Sequence, residues 1–274
     1  MNNSNTILSL PNERLIKSKV CKILFGNNTL ARCPFCQRTG CVRRDQRFQC
    51  RRCGKAWSLT SLTWLKGMKL KWKTFWGLVW CYVSKVPIDQ ASRLMKVSRP
   101  TVYRWYDLFR QNLPDMEEVR VGGIVQIDEA YFGRKSKGGV ALIAAKERHG
   151  PKVATTIIPA SSVNRNDVTT FLRQFVKPDS KLWSDGAAIY RGIAKHWPVE
   201  HSYDVHRKAE FGKTSVIEGF FGCLRTYIRR MYHHVTIKKL PQIVKEYQCR
   251  LMHKEIFDSP LSFLQKTLPT VAFA

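Results

Sequence analysis

Acidic residues are scarce in this sequence. The 274-residue chain holds 20 Asp and Glu against 47 Lys and Arg, giving a formal net charge of +27 and a pI of about 10.1. Long apolar runs are also missing. Stretches such as residues 75–83 fall far short of the roughly 20 residues a membrane-spanning helix requires. The opening MNNSNTILSLPNERL has no basic segment followed by an apolar one, so no export signal is expected. There are no internal repeats and no low-complexity tracts. A membrane protein and a secreted disulfide scaffold are therefore both poor fits. A disordered basic tail is excluded too, because hydrophobic residues make up 44% and charged residues only 24% of the chain. A charge of this size calls for a polyanionic partner, and nucleic acid is the usual one.

The nine cysteines are odd in number, and four of them form two C-x-x-C pairs. That pattern favours metal over disulfide and a reducing compartment, so the expected location is the cytoplasm, beside the nucleoid. Cys33-x2-Cys36 is separated by thirteen residues from Cys50-x2-Cys53. Each knuckle offers two sulfurs on one tight turn, and an intervening hairpin can bring the second pair back to the first. Together these pairs predict a zinc ribbon with structural Zn²⁺. The competing reading, ordinary reduced core cysteines, does not account for two matched pairs. Cys41 fits neither knuckle and reads as a bystander. Residues 32–55 carry eight basic residues and one acid, which suggests phosphate contact, with a plain solvated basic face as the alternative.

The region that follows is rich in Trp and in helical periodicity. Phe75, Leu78, Val79, Tyr82, Val83 and Val86 mark an amphipathic helix that Pro87 ends. A short helix over 89–95, a turn at 97–99 capped by Ser98, and a basic helix over 101–111 have helix–turn–helix spacing. Arg99, Thr101, Tyr103 and Arg104 are the candidate DNA-contacting residues, and a plain helical hairpin is the alternative. The acidic stretch PDMEEVRVGG, residues 114–123, is the best boundary. The expected division is a ribbon segment over 1–58, a helix–turn–helix region over 59–115 and a final domain over 116–274.

In that last region the pattern predicts strands over 123–131, 140–145, 153–158 and 181–184. Helices are predicted over 164–176, from Ala187 onward, over 216–230 and over 240–252. The result is an α/β domain, a mixed sheet flanked by helices. Asp128 and Asp185 end predicted strands, and Glu218 lies in the first turn of a helix. Three converging carboxylates in so basic a chain point to a divalent metal, Mg²⁺ or Mn²⁺, and to phosphodiester chemistry. An Asp after a strand is also a common turn former. Arg225 and Arg229 follow Glu218 on one helix face and are candidates for holding DNA phosphates. Glu129 turns to the other face of its strand and reads as structural or outer-lying. Asp204 and Glu210 are expected in solvent. His206 is a candidate for supporting the site or touching DNA.

The order zinc ribbon, helix–turn–helix, IDEAYFGRK, SDG, then IEGFFGCLR and YHHV resembles the bacterial insertion-sequence DDE transposases. The closest group is the one with an N-terminal zinc ribbon, related to the Merlin transposons. The resemblance runs from about Cys33 to about His253. It implies an RNase H-like catalytic fold, two Mg²⁺ or Mn²⁺ ions, and cleavage and strand transfer at the element's own ends. Its partners would be double-stranded DNA, both terminal inverted repeats and target, with a homodimer or higher oligomer assembled on it. Position by position, Asp128 and Asp185 match the two aspartates, Glu218 the acid of the IEGF motif, and Arg225 the place usually held by Lys. Many relatives have Asn where this chain has Ser215, so the resemblance leaves both Glu218 and Ser215 as candidates for the third catalytic place. The alternative function is a non-catalytic DNA-binding regulator or a domesticated, inactive transposase.

Overall fold

The computed structural model describes residues 10–25, 33–44, 47–58, 60–61, 63–116, 119–134, 138–161, 163–204 and 213–268. His206 and Glu210 lie outside the described residues. The chain divides into two compact units, 1–114 together with 255–274, and 115–254.

The first unit opens with α1 (Glu13–Phe25), which the sequence reading did not anticipate. Its buried residues Ile16, Val20 and Leu24 recur every four positions, a narrow stripe on an otherwise polar helix. A three-stranded meander follows, β1 (Cys41–Arg44), β2 (Arg47–Cys50) and β3 (Ala56–Ser58), antiparallel throughout. Its small core is Cys33, Cys50 and Trp57, with Phe48 packed against it. Next come α2 (Trp72–Val83), α3 (Ile88–Met95) and α4 (Arg99–Gln111). The first of these stops three residues before Val86, because Lys85 takes a left-handed φ of 56°. Lys96 does the same at φ 51° to end α3, and Ser98 caps α4 by accepting from Thr101 N, with Pro100 in the first turn.

The last helix, α8 (Pro260–Thr267), belongs to this first unit, whereas the sequence division placed all of 116–274 in one domain. The reason is aromatic. Phe263 meets Tyr82 at 5.5 Å and Phe109 at 5.6 Å between ring centroids, and Trp64 Nε1 donates to the carbonyl of Thr267 at 2.8 Å. Trp64, Trp72 and Trp105 pack within or against this cluster, Trp76 is buried, and Trp57 serves the meander instead.

The second unit is built on five strands, β4 (Ile124–Phe132), β5 (Val140–Glu147), β6 (Val153–Pro159), β7 (Ser180–Asp185) and β8 (Val199–Asp204), in the order β6-β5-β4-β7-β8. The first three are antiparallel, while β4–β7 and β7–β8 are parallel. α5 (Arg165–Phe175) covers one face, packing Val168, Phe171 and Leu172 on Val125, Ile127, Ile143 and Leu182. α6 (Ser215–Tyr232) and α7 (Leu240–Met252) cover the other, packing Ile217, Phe221, Leu224 and Val244 on Ala130, Leu142 and Ala144. This mixed sheet with helices on both faces fits an RNase H-like domain.

Two details differ from the sequence pattern. The helix expected from Ala187 is a run of turns with one 3₁₀ turn at Ile193–Lys195. Asp185 Oδ1 accepts from Ala187 N at 3.0 Å, and Gly192 takes φ 72°, both of which favour turns over helix. The fifth strand, β8, was not expected, because VEHSYD is polar and lies at the sheet edge.

Candidate active site and cysteine centre

Alternation along β4 decides where its acids go. Val125 and Ile127 face α5, so Gln126, Asp128 and Ala130 face α6 and α7. On β7, Leu182 faces α5, which turns Trp183 and Asp185 to the α6 side. Gln126 lies beside Trp183 across the parallel pair. Two residues further along each strand stand Asp128 and Asp185, near enough for the charge of Asp185 to bear on the Asp128 carboxyl.

The third acid is brought in by the start of α6. Its N-cap, Thr214, makes no side-chain bond to the helix backbone. Gln126, fully buried, takes over that task from the neighbouring strand. Its Oε1 accepts from Val216 N at 2.8 Å and from Ile217 N at 3.0 Å, satisfying two of the open donors of the first turn. The helix is thereby docked two residues from Asp128. Thr214 Oγ1 donates to Glu218 Oε1 at 2.8 Å and holds that side chain at the same end. Replacing Gln126 with Leu leaves two buried N–H groups unpartnered. It is expected to destabilise the protein by about 2 kcal/mol, read as a lowered thermal midpoint. An unchanged midpoint would contradict this docking.

The electrostatics follow from the convergence. Burial pushes the Asp128 carboxyl up to about 7, with the charges of Glu129, Asp185 and Glu218 adding to the rise. No Lys or Arg forms an ion pair with Asp128, Asp185 or Glu218 among the described residues. Carboxylate oxygens are the donors a hard divalent cation takes, although the cysteine cluster is the group of three or more metal-ligating side chains drawn together among the described residues. Glu129 faces the other way, where its carboxylate accepts from the hydroxyl of the fully buried Tyr190. That bond ties the turns after β7 back to β4, and burial again raises the Glu129 carboxyl.

Arg225 lies two turns along α6, its guanidinium 5.7 Å from the ring of Phe132 at the end of β4. Phe132 is four residues beyond Asp128 on the same face. Arg229 is exposed one turn further, and Ser215 is exposed at the first helical position. The YHHV motif closes the helix. Tyr232 and Tyr227 both donate to Glu246 on α7, at 2.8 and 2.6 Å, and Arg250 ion-pairs with the same buried carboxylate. His233 takes φ 57°, ψ −59° with His234 N bonded to Tyr232 O, a tight γ-turn that ends α6 sharply.

Asp204 corrects an expectation. It is buried rather than solvent-exposed, accepts from Lys213 N at 2.6 Å and ion-pairs with Lys213 Nζ at 3.2 Å. Gln126, Thr214 and Tyr190 were missed by sequence reasoning. Only Gln126 left a signal, a lone polar residue at an apolar position of IVQIDEAYF.

In the first unit, the thiols of Cys33, Cys36, Cys50 and Cys53 all lie within 4.8 Å of one another. Cys33 Sγ is 3.5 Å from Cys53 Sγ, and Cys36 Sγ is 3.7 Å from Cys50 Sγ. Tetrahedral zinc with bonds near 2.3 Å would set sulfurs about 3.8 Å apart, so the cluster fits that ion. Both knuckles turn as such turns must. Gln37 at φ 59° and Gly54 at φ 72° allow Phe35 N to reach Cys33 Sγ, and Arg52 N and Cys53 N to reach Cys50 Sγ. Cys41 pairs with Cys50 across the β1–β2 ladder, and burial beside the other thiols pushes its own up to about 12.

The four candidates on α4 are not equivalent. Arg99 Nε ion-pairs with Asp89 at 2.5 Å. Thr101 shares its hydroxyl with Ser98 at the cap, at 2.8 Å. Tyr103 and Arg104 stand exposed on the helix.

Residues 120–251 match the family model of the ISXO2-like transposase domain. The match spans all three acids, from just before β4 through most of α7. The chain thus carries a transposase domain of the insertion-sequence DDE kind, and the family implies DNA as its partner. A comparison with curated proteins gives no match. No helix among the described residues is long and apolar enough to cross a membrane.

Proposed function

We propose that this protein is the transposase of an insertion sequence, binding the ends of its element and catalysing metal-dependent DNA strand cleavage and strand transfer. The observation that carries the reading is that Asp128 and Asp185 stand two residues beyond the Gln126–Trp183 pair on adjacent parallel strands, with α6 and its Glu218 docked by Gln126 and no Lys or Arg ion-paired with the three among the described residues. Asp128, Asp185 and Glu218 would hold Mg²⁺ or Mn²⁺. When bound, such ions supply activation of a water or 3′-hydroxyl and stabilisation of the leaving oxygen.

The chain's own residues do the rest. Arg225 and Arg229 grip phosphates next to the reacting strand, Arg225 held in place by its contact with Phe132. Ser215, exposed at the N-terminus of α6, offers a hydroxyl and the positive end of the helix to the same phosphates. His206 serves as a supporting or DNA-contacting group. The four cysteines hold structural Zn²⁺, and the ribbon so formed presents its basic surface to DNA. α3 and α4 act as a helix–turn–helix. Tyr103 and Arg104 are its main groove contacts, while Arg99 and Thr101 sit at the start of the recognition helix near the backbone. Two copies assemble on paired ends, in the cytoplasm with the nucleoid.

The test is purified protein on a labelled duplex carrying the element's terminus, with Mg²⁺. Wild type is expected to nick the end and join it to target DNA, and Asp185→Asn to bind but do neither. Joining by the Asp185→Asn protein would remove that residue from the site. Binding by wild type without any cleavage would favour a regulator.

A further inference from the structure

Within the first unit, α1 and the cysteine meander enclose a groove of about 970 Å³, of whose cations only Arg47 of the ribbon has a role above. One wall is the face of α1 flanking its buried stripe, bearing Arg14 and Lys17. A second is the start of β2 with Arg47, and the third is the stretch before α2 with Lys69 and Lys71. Glu13 is the one acidic side chain on the lining. None of the five cations forms an ion pair among the described residues.

Five like charges converging on one cavity repel each other. Evolving chains ordinarily relieve that with acids, or place such charges apart on solvated faces. A ligand of linear negative charge relieves it directly. The volume is at the upper end of a small-molecule site, enough for a short run of sugar-phosphate backbone but not for the full width of a duplex. The walls offer ammonium and guanidinium groups with the hydroxyls of Ser18, Ser58 and Thr60 among them, donors that suit phosphate oxygens, and no Asn or Gln.

We propose that this groove is a further DNA-binding site, which grips one phosphodiester strand irrespective of sequence and is separate from α4. The inference rests on the DNA-binding reading given above. It assigns α1 a function as a phosphate-holding wall, fixed by packing Ile16, Val20 and Leu24 into the core.

The test is fluorescence anisotropy of the full zinc-loaded chain on a labelled random-sequence duplex across a salt series. Two double variants, Arg14→Gln with Lys17→Gln and Lys69→Gln with Lys71→Gln, are compared with a control, Lys254→Gln with Lys266→Gln. The control removes the same charge from exposed positions outside the groove. Each groove variant is expected to lower affinity roughly tenfold at about 0.1 M salt and to reduce the salt slope by about 1.8, while the control moves neither comparably. Element-end and random duplexes should lose affinity equally. Losses as large in the control show only the general field of the chain and overturn the groove. Wild type that binds no duplex at all overturns both this proposal and the reading it rests on. The pair on the loop before α2 keeps the test decisive if the pair on α1 disturbs folding, which thermal unfolding reports.

Discussion

Asp128→Asn is expected to abolish strand cleavage, by at least about a thousandfold, while making the metal-free protein more stable. The two effects share one cause. Asp128 is held among carboxylates in a half-buried place that suits a metal and not a lone anion, and its carboxyl is raised to about 7. The native state therefore keeps a proton between about pH 4 and pH 7 that the unfolded chain has already released. The native state binds more protons in that window, so stability falls as pH rises through it. The amide carries no charge and removes this slope. At pH 8 the variant should gain on the order of 2 kcal/mol, allowing for the solvent that still reaches the group, a shift of several degrees in thermal midpoint. Mg²⁺ should raise the midpoint of wild type and not of the variant, because only a native state that binds the ion is stabilised by it. The thousandfold figure corresponds to about 4 kcal/mol of barrier. A variant less stable than wild type at pH 8, with the same response to Mg²⁺, would show that Asp128 serves the fold and not the reaction.

Cys50→Ser is expected to unfold the meander of residues 33–58 and to weaken DNA binding, leaving the 115–254 unit folded. Three short strands around Cys33, Cys50 and Trp57 bury too little to be stable alone. Structural zinc supplies on the order of 10 kcal/mol to such a module, far more than its own packing can. Cys50 is the hardest ligand to lose, since its thiolate also accepts from two backbone N–H groups and its backbone starts the second knuckle. The measurement is zinc content by mass spectrometry of the native protein, alongside proteolysis. Wild type should carry one zinc, resist cleavage at 33–58, and lose both properties with a strong chelator. A zinc-free wild type with a protected meander would exclude the metal centre.

Much of this architecture was legible along the chain. Alternation in IVQIDEAYF, the i, i+4, i+7 stripe of α6 and the matched C-x-x-C pairs are all short-range patterns. A strand or helix forms its face from near neighbours, so its period can be read directly from the residue order. The strand that carries Asp128 follows from the same local rule, but it runs on to Phe132, so Asp128 stands mid-strand and not at the strand end expected from the sequence. By contrast, β8 and α1 were missed. α1 is held by α2 and α8, far along the chain, and β8 by β7, 19 positions before it, and each has only a weak pattern of its own.

The sequence by itself determined the basic character of the protein, the cysteine cluster, most of the elements and the acids worth considering. Only the tertiary structure decided how those acids meet. The parallel pairing of β4 with β7 brings Asp128 toward Asp185, which comes 57 positions later in the sequence. Gln126 and not Thr214 caps α6, and it does so across some 90 residues. Tertiary structure likewise put Asp204 in the interior and sent the final helix to the first unit. The physical reason is common to all of these. Local pattern fixes which face of an element is apolar, whereas register between strands and the partner of a buried polar group depend on which distant surface closes over it, and the chain order does not carry that information.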